Sequence, residues 1–201
     1  MALIHRARIR PTKLELLDDW APSQPWFEGR PGTGTTLVAS FRFDDPADEV
    51  GIETLLVRAG GPLLQVPLTY RPAPLAGGEA WLITTMEHSV LGRRWVYDAF
   101  GDPVYRTALA TTILTGGREG DQYVEADGET VLREPTARVL GSGTEAALPE
   151  GEVHIEIVRK PDTDSPDLDP VAPEHRTEVL TGSWSEHGHW SDPRVLARVR
   201  F

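Results

Sequence analysis

The sequence predicts an α+β fold: a curved antiparallel sheet packed on helices, with an additional, mostly β, C-terminal part. Three observations predict it. Between residues 37 and 87, four stretches rich in alternating apolar positions are separated by Asp, Gly and Pro turns, the pattern of a meander. Residues 103–114 carry one apolar stripe at helical spacing behind an Asp-Pro start. Beyond Gly120 the helical period gives way to strand periods that run to the end of the chain.

Residues 2–10 alternate well enough for a strand, with Ile4 and Ile9 set among His5 and arginines. Thr12 and Glu15, behind Pro11, read as a capping box, and Leu14, Leu17 and Trp20 supply the buried side of a short helix. Residues 21–36 form a Pro- and Gly-rich loop. Its GRPGTGTT run resembles a phosphate cradle only superficially, because it lacks the P-loop lysine and the full dinucleotide glycine spacing; it reads as a turn.

In the meander, Leu37, Ala39, Phe41 and Phe43 share one face, and Val38, Ser40 and Arg42 the other. The turn Asp44-Asp45-Pro46 leads to a strand at 51–58, and Gly60-Gly61-Pro62 to one at 63–71 with Leu64, Val66, Leu68 and Tyr70 on one face. Pro67 inside that strand predicts an edge or a bulge. Residues 80–87 make the fourth strand. Asp102 is the N-cap of the next helix and Pro103 its first residue. Tyr105, Leu109 and Ile113, beside Val104 and Ala108, face the meander, and Gly116-Gly117 ends the helix.

Further strands are expected at 130–140, 152–160, 178–184 and 194–201. In the second, Val153, Ile155 and Ile157 oppose His154 and Glu156. In the last, Val195, Ala197, Val199 and Phe201 point inward, and Leu196, Arg198 and Arg200 outward. Residues 161–170, PDTDSPDLDP, read as a solvated loop. The expected organisation is a domain over 1–118 and a β-rich extension over 119–201, packed on it or completing the same sheet.

With 201 residues and 39% hydrophobic content the chain can bury a proper core. A net charge of −11 argues against nucleic acid or an anionic membrane as partner, since both call for a basic patch. The absence of cysteine excludes disulfides, thiolate catalysis and cysteine metal sites. Residues 1–10 are basic but lack an apolar h-region, and no stretch reaches membrane-spanning length, so a cytoplasmic location is expected.

Candidate chemistry is sparse. Asp162, Asp164, Asp167 and Asp169 cluster as calcium ligands do, but the EF-hand glycine and glutamate are missing. Glu186, His187 and His189 would need a third ligand such as Asp192, and Gly188 marks their segment as a hairpin tip. No metal site and no cofactor is therefore expected. Glu87, His88 and Asp98 could form an acid–base set, yet nothing places a nucleophile such as Ser89 beside them, and G-x-S-x-G is absent. Arg93 and Arg94 would clamp an anion or pair with Asp98 or Asp102 at the helix entrance, the reading favoured here. No residue is assigned as catalytic. The binding surface expected for a partner or ligand is the polar-aromatic group Glu87, His88, Arg93, Arg94, Trp95, Tyr97 and Asp98, because Arg and large aromatics concentrate at interface centres.

Several segments carry a family resemblance. DDWAPSQPWFEGRPG places Trp20, Pro22, Trp26, Phe27, Gly29 and Arg30 in the pattern that opens actinobacterial maltokinases. QVPLTYRPAPL and RWVYDAFGDPVY resemble later segments of their N-terminal cap, and the start of the chain, EVGIE and MEHSVLGRRW have counterparts in stand-alone maltokinase N-terminal cap-like proteins. The resemblance implies a cystatin- or monellin-like cap over about residues 2–114. In full maltokinases such a cap sits on a kinase of the aminoglycoside-phosphotransferase type, which phosphorylates maltose with ATP. This sequence has no H-x-D catalytic loop with a downstream Asn, no D-F-G-like or D-x-E metal-binding segment and no Gly-rich loop followed by V-A-I-K, so no catalytic residue carries over. The resemblance thus implies a non-catalytic accessory or regulatory protein acting through a partner in maltose, trehalose or α-glucan metabolism. The alternative is a small-molecule module that stacks a sugar on Trp81, Trp95 or Trp26. An enzyme of unrecognised type, resting on His88, Asp98 and Arg94, comes third.

Overall fold

The structure, a computed structural model, describes residues 2–4, 7–126, 129–149, 153–163 and 176–201. The elements in chain order are β1 (Ala2–Ile4), β2 (Ile9–Arg10), α1 (Lys13–Trp20), β3 (Thr36–Phe43), β4 (Gly51–Arg58), β5 (Leu63–Arg71), β6 (Leu82–His88), β7 (Gly92–Asp98), α2 (Pro103–Leu114), β8 (Gln122–Ala126), β9 (Glu129–Leu132), β10 (Ala137–Gly141), β11 (His154–Ile157), β12 (Thr177–Glu186), β13 (His189–Trp190) and β14 (Arg194–Arg200). The fold is mostly β with two short helices and a β-rich C-terminal part.

The meander forms an antiparallel sheet of six strands in the order β2-β6-β7-β5-β4-β3. Its residues alternate between two cores because successive strand residues face opposite ways. Leu55, Val57, Leu64, Val66, Leu68, Met86 and Val96 meet Leu16 and Leu17 of α1 on one side. The α1 start is the expected capping box: the Thr12 hydroxyl takes the Glu15 N–H, and the Glu15 carboxylate takes the Thr12 N–H. The opposite face offers Ala39, Phe41, Phe43, Ile52, Leu56 and Leu63.

Helix α2 has the expected bounds, N-cap and stripe. Tyr105, Leu109 and Ile113 are buried, but against more than the meander: the same core holds Val139, Ile155, Leu180, Trp184, Leu196 and Val199 of the C-terminal strands. Those strands build a separate sheet, β10-β12-β14-β11, with β13 paired to β12. Gln65 of β5 ties the two sheets together. Its main-chain N–H reaches the Arg159 carbonyl, and its side-chain amide donates to the carbonyls of Val158 (2.9 Å) and Leu196 (2.8 Å).

Five expectations require correction. Leu37 is 48% exposed, because a bulge between Leu37 and Ala39 breaks the alternation and turns Val38 toward the core. A register shift at Leu180/Thr181 leaves Leu196 without a cross-strand partner, and it is buried rather than outward. Pro67 lies in an internal strand, not on an edge. Gln65 directs its N–H toward Arg159, so by alternation the Pro67 nitrogen faces the same side, just before the β7 ladder begins at Leu68. The strand expected at 130–140 is two strands in different sheets, divided near Pro135, which has no N–H to give a ladder. Residues 2–10 likewise divide: β1 runs parallel to β8 in a three-stranded sheet β1-β8-β9, whereas β2 pairs with β6. His5, Arg6, Glu152 and residues 164–170 lie outside the described residues.

Candidate functional site

The seven residues singled out by sequence sit on the β6–β7 ribbon and its approach to α2. Glu87 and Arg93 face each other across it, bonded at 2.8 Å with both side chains more than 60% exposed, so the pair contributes little to stability. His88 closes the hairpin tip, its Nδ1 accepting the N–H groups of Val90 (3.2 Å) and Leu91 (3.0 Å). Arg94, half-buried, pairs in register with Met86, and Trp95, half-buried, with Thr85 and Arg71. Tyr97 is buried, and its hydroxyl accepts the Leu75 N–H at 2.8 Å. Alternation places His88, Arg94 and Asp98 on one face and Glu87, Arg93, Trp95 and Tyr97 on the other. His88 and Asp98 stand at opposite ends of β7's length, roughly 20 Å at strand rise. The structure therefore does not bring Glu87, His88 and Asp98 together as an acid–base set. The Ser89 hydroxyl instead accepts the Arg8 N–H.

The helix entrance is pinned, but by other arginines than Arg93 and Arg94. Arg71 grips Asp102 through Nε–Oδ2 and Nη2–Oδ1 bonds of 2.7 Å each. Asp102 is fully buried and also accepts the Val104 N–H at 2.9 Å. Burial pushes its carboxyl up, and the Arg71 fork and the Val104 N–H outweigh that push, so the group titrates below its ordinary range. Arg159 holds buried Asp98 at 2.7 Å and lies over the Trp26 ring at 4.7 Å. Both arginines are far away in sequence, which is why local reading picked the neighbouring Arg93 and Arg94. Arg93 is taken by Glu87 across the hairpin, and Arg94 makes no ion pair among the described residues.

A cleft of about 780 Å³ opens between the 44–47 turn, the outer face of α2 and residues 118–123. Asp45 builds its first wall by accepting the N–H groups of Ala47, Glu49 and Val50. Gly120 builds the second: its N–H bonds the Arg42 carbonyl, and a Cβ there would stand 3.1 Å from the Asp44 carboxylate. The floor is apolar, from Phe43, Pro46, Val104 and Ala108, and Thr107 and Thr111 add hydroxyls one helical turn apart. On the rim, Arg118 pairs with Asp121 at 2.9 Å, and Glu119 accepts the Val139 N–H at 2.8 Å. The size suits a small ligand or a side chain, and the carboxylates favour hydroxyl or cationic groups. Sequence reasoning missed this cleft because the turn and the threonines are spread over almost seventy positions; the only local signal was the polar Thr107–Thr111 face of an otherwise apolar helix.

With the sheet, ribbon and helix entrance in view, the sequence from residue 20 to 102 matches the family model of the maltokinase N-terminal cap domain. This chain carries a maltokinase cap-like domain. No curated protein matches it. The matched stretch begins at the end of α1 and stops at the Asp102 N-cap, so it takes in β3 to β7 and leaves α2 and the C-terminal sheet outside. Within the cap-like domain the three tryptophans considered for stacking differ. Trp26 is occupied by Arg159 and by the edge of Trp20 at 5.6 Å. Trp95 is half-buried. Trp81 is 39% exposed, edge-on to Phe100 at 5.8 Å, and lies on Gly101, where no Cβ would fit. Outside the cap-like domain, His187 (φ 52°) and Gly188 (φ 81°) form the two-residue β12–β13 turn, so His187 and His189 do not share a strand face. Asp162 is taken up by the Leu63 N–H and Arg58, and Asp164, Asp167 and Asp169 lie outside the described residues. No helix among the described residues is long and apolar enough to cross a membrane.

Proposed function

We propose that this protein is a non-catalytic accessory or regulatory protein built on a cystatin- or monellin-like maltokinase cap, working in the cytoplasm through a protein partner in maltose, trehalose or α-glucan metabolism. The observation that carries this reading is the extent of the family match. It covers a cap, the part of a maltokinase that is not its kinase, and it ends at Asp102. The remaining 103–201 contain none of the phosphoryl-transfer motifs as a set. The ionisable groups at the sheet-to-helix junction support it too, because Asp98 and Asp102 are engaged by Arg159 and Arg71. The test is a coupled assay with ATP, magnesium and maltose, together with the kinetics of a maltose-phosphorylating enzyme with and without the purified protein. The reading expects no turnover by the protein alone and a changed rate for the enzyme. Steady turnover by the protein alone would overturn it.

A second reading, a sugar-binding module, draws on Trp81. With one ring face against the Gly101 backbone, the indole is held as a platform for the C–H face of a pyranose. Calorimetric titration with maltose and maltotriose tests it. Saturable heat that disappears in Trp81→Ala would favour this reading over the first.

A further inference from the structure

We propose that the open edge of β9 is a self-pairing surface: two copies of this chain join antiparallel along β9, with Val131 on the two-fold axis and Glu129 of each copy opposite Arg133 of the other. Among the described residues β9 is the outer strand of its sheet and pairs with β8 alone, through Tyr123↔Leu132, Val124↔Val131, Glu125↔Thr130 and Ala126↔Glu129. All four of its residues are exposed, Val131 at 45% and Leu132 at 54%. An exposed strand edge with apolar side chains is a template for another strand, and this one carries neither a proline nor a lysine to block it.

The backbone fixes which groups are available. Arg133 donates its N–H to the Gln122 carbonyl at 2.8 Å, so residues of the same parity, Glu129 and Val131, also turn their main-chain groups toward β8. Thr130 and Leu132 then direct N–H and C=O to the open side. An antiparallel partner must place its own outward residues opposite these. Pairing Thr130 with Leu132 of a second copy, and Leu132 with Thr130, closes two such pairs about an axis at Val131. Thr130 opposite Thr130, or Leu132 opposite Leu132, closes one pair within Glu129–Leu132. The register with two pairs is also the one that sets Glu129 against Arg133 twice, in the non-hydrogen-bonded positions where side chains stand closest. Neither side chain has an ion-pair partner among the described residues. The stretch from Glu129 to Arg133 is thus complementary to itself and carries no net charge, in a chain whose net charge of −11 would otherwise repel a second copy. Two four-residue edges bury little area, so the dimer dissociates on dilution.

The absence of cysteine gives a direct test. Opposed non-hydrogen-bonded residues have Cα atoms about 4.5 Å apart, within disulfide range. Under a mild thiol oxidant, Val131→Cys should form a covalent dimer at least tenfold faster than Leu140→Cys, a still more exposed position on β10. Adding Thr130→Pro, which removes an outward N–H and leaves the β8 bonds in place, should abolish the difference. In sedimentation velocity on the cysteine-free protein, Glu129→Arg should weaken dimerisation about tenfold by turning two attractions into two repulsions, and Glu129→Arg with Arg133→Glu should restore it. Equal cross-linking rates at Val131 and Leu140, or a dimer indifferent to Thr130→Pro and to the charge swap while circular dichroism is unchanged, would overturn the proposal.

Discussion

Arg71 and Asp102, 31 residues apart, meet edge to edge through two hydrogen bonds of 2.7 Å, and the carboxylate is wholly removed from solvent. The same carboxylate starts α2 by accepting the Val104 N–H. The end of β5 and the first turn of α2 are therefore one mechanical unit. A guanidinium suits this position because its planar fork satisfies both oxygens at once.

Removing Arg71 should be severe. Arg71→Ala strands a buried carboxylate and is expected to cost about 3–5 kcal/mol. Arg71→Lys should recover only part of that, since an ammonium cannot reproduce the fork. Urea denaturation measures both; a loss under about 1 kcal/mol would mean that water reaches Asp102.

Acid should weaken the fold through two carboxyls. Asp102 titrates below its ordinary 3.8 when folded. Glu53 is buried, which alone would raise it, but Lys13 and Arg42 hold it below its ordinary 4.5. Each is protonated more readily in the unfolded chain. Their contribution is complete above about pH 5 and drains as pH falls through 4 toward the lower folded values. Unfolding free energy measured against pH should fall across that window, and Asp102→Asn should flatten the slope while lowering stability overall. An unchanged slope in that variant would remove Asp102 from the account.

Much of this architecture was legible locally, and the exceptions have definite causes. The Asp102 N-cap, Pro103 and the Tyr105-Leu109-Ile113 stripe define α2 by themselves, and the turns at 44–46 and 60–62 define the bounds of β4 and β5. Leu37 and Leu196 were misplaced because a bulge shifts a two-residue period by one, and nothing in the apolar pair Leu37-Val38 marks where that happens. The site suffered more. Its partners are Arg71 with Asp102, Arg159 with Asp98 and Gln65 with Leu196, the last 131 residues apart. Such pairings depend on how sheets stack, which no local pattern encodes.

Leu109 tests the shared core. It is 1% exposed, in a cluster drawn from both the meander and the C-terminal sheet. Leu109→Ala is expected to cost about 2–5 kcal/mol. A change within error would mean that the stripe does not face this core.

Gln65 tests the join between the two sheets. Gln65→Ala takes the side-chain donor from the Val158 carbonyl in a buried setting, at about 1–3 kcal/mol, while the Leu196 carbonyl keeps the Val158 N–H. Limited proteolysis should then cut near 158–163 faster than in the parent protein. A chain ending at residue 118 should fail to give a cooperative melt, since Leu109, Ile113 and Leu114 lose their cover from β10, β12 and β14. A sharp transition in that fragment would instead establish 1–118 as an independent domain.

Arg159 and Arg94 are expected to differ in what their loss does. Arg159 is half-buried against buried Asp98 and the Trp26 ring, so Arg159→Ala should cost about 3–5 kcal/mol by taking the cation from a buried carboxyl. Arg94, half-buried on the ribbon, holds neither Asp98 nor Asp102 and makes no ion pair among the described residues. Arg94→Ala should change stability by less than about 1 kcal/mol in thermal and urea melts. Such a variant is suited to testing the ribbon as a contact surface, because any weakening of a partner's binding would not be a folding defect. A melt of Arg94→Ala as low as that of Arg159→Ala would show instead that Arg94 belongs to the internal network, and the ribbon would lose its claim to a partner.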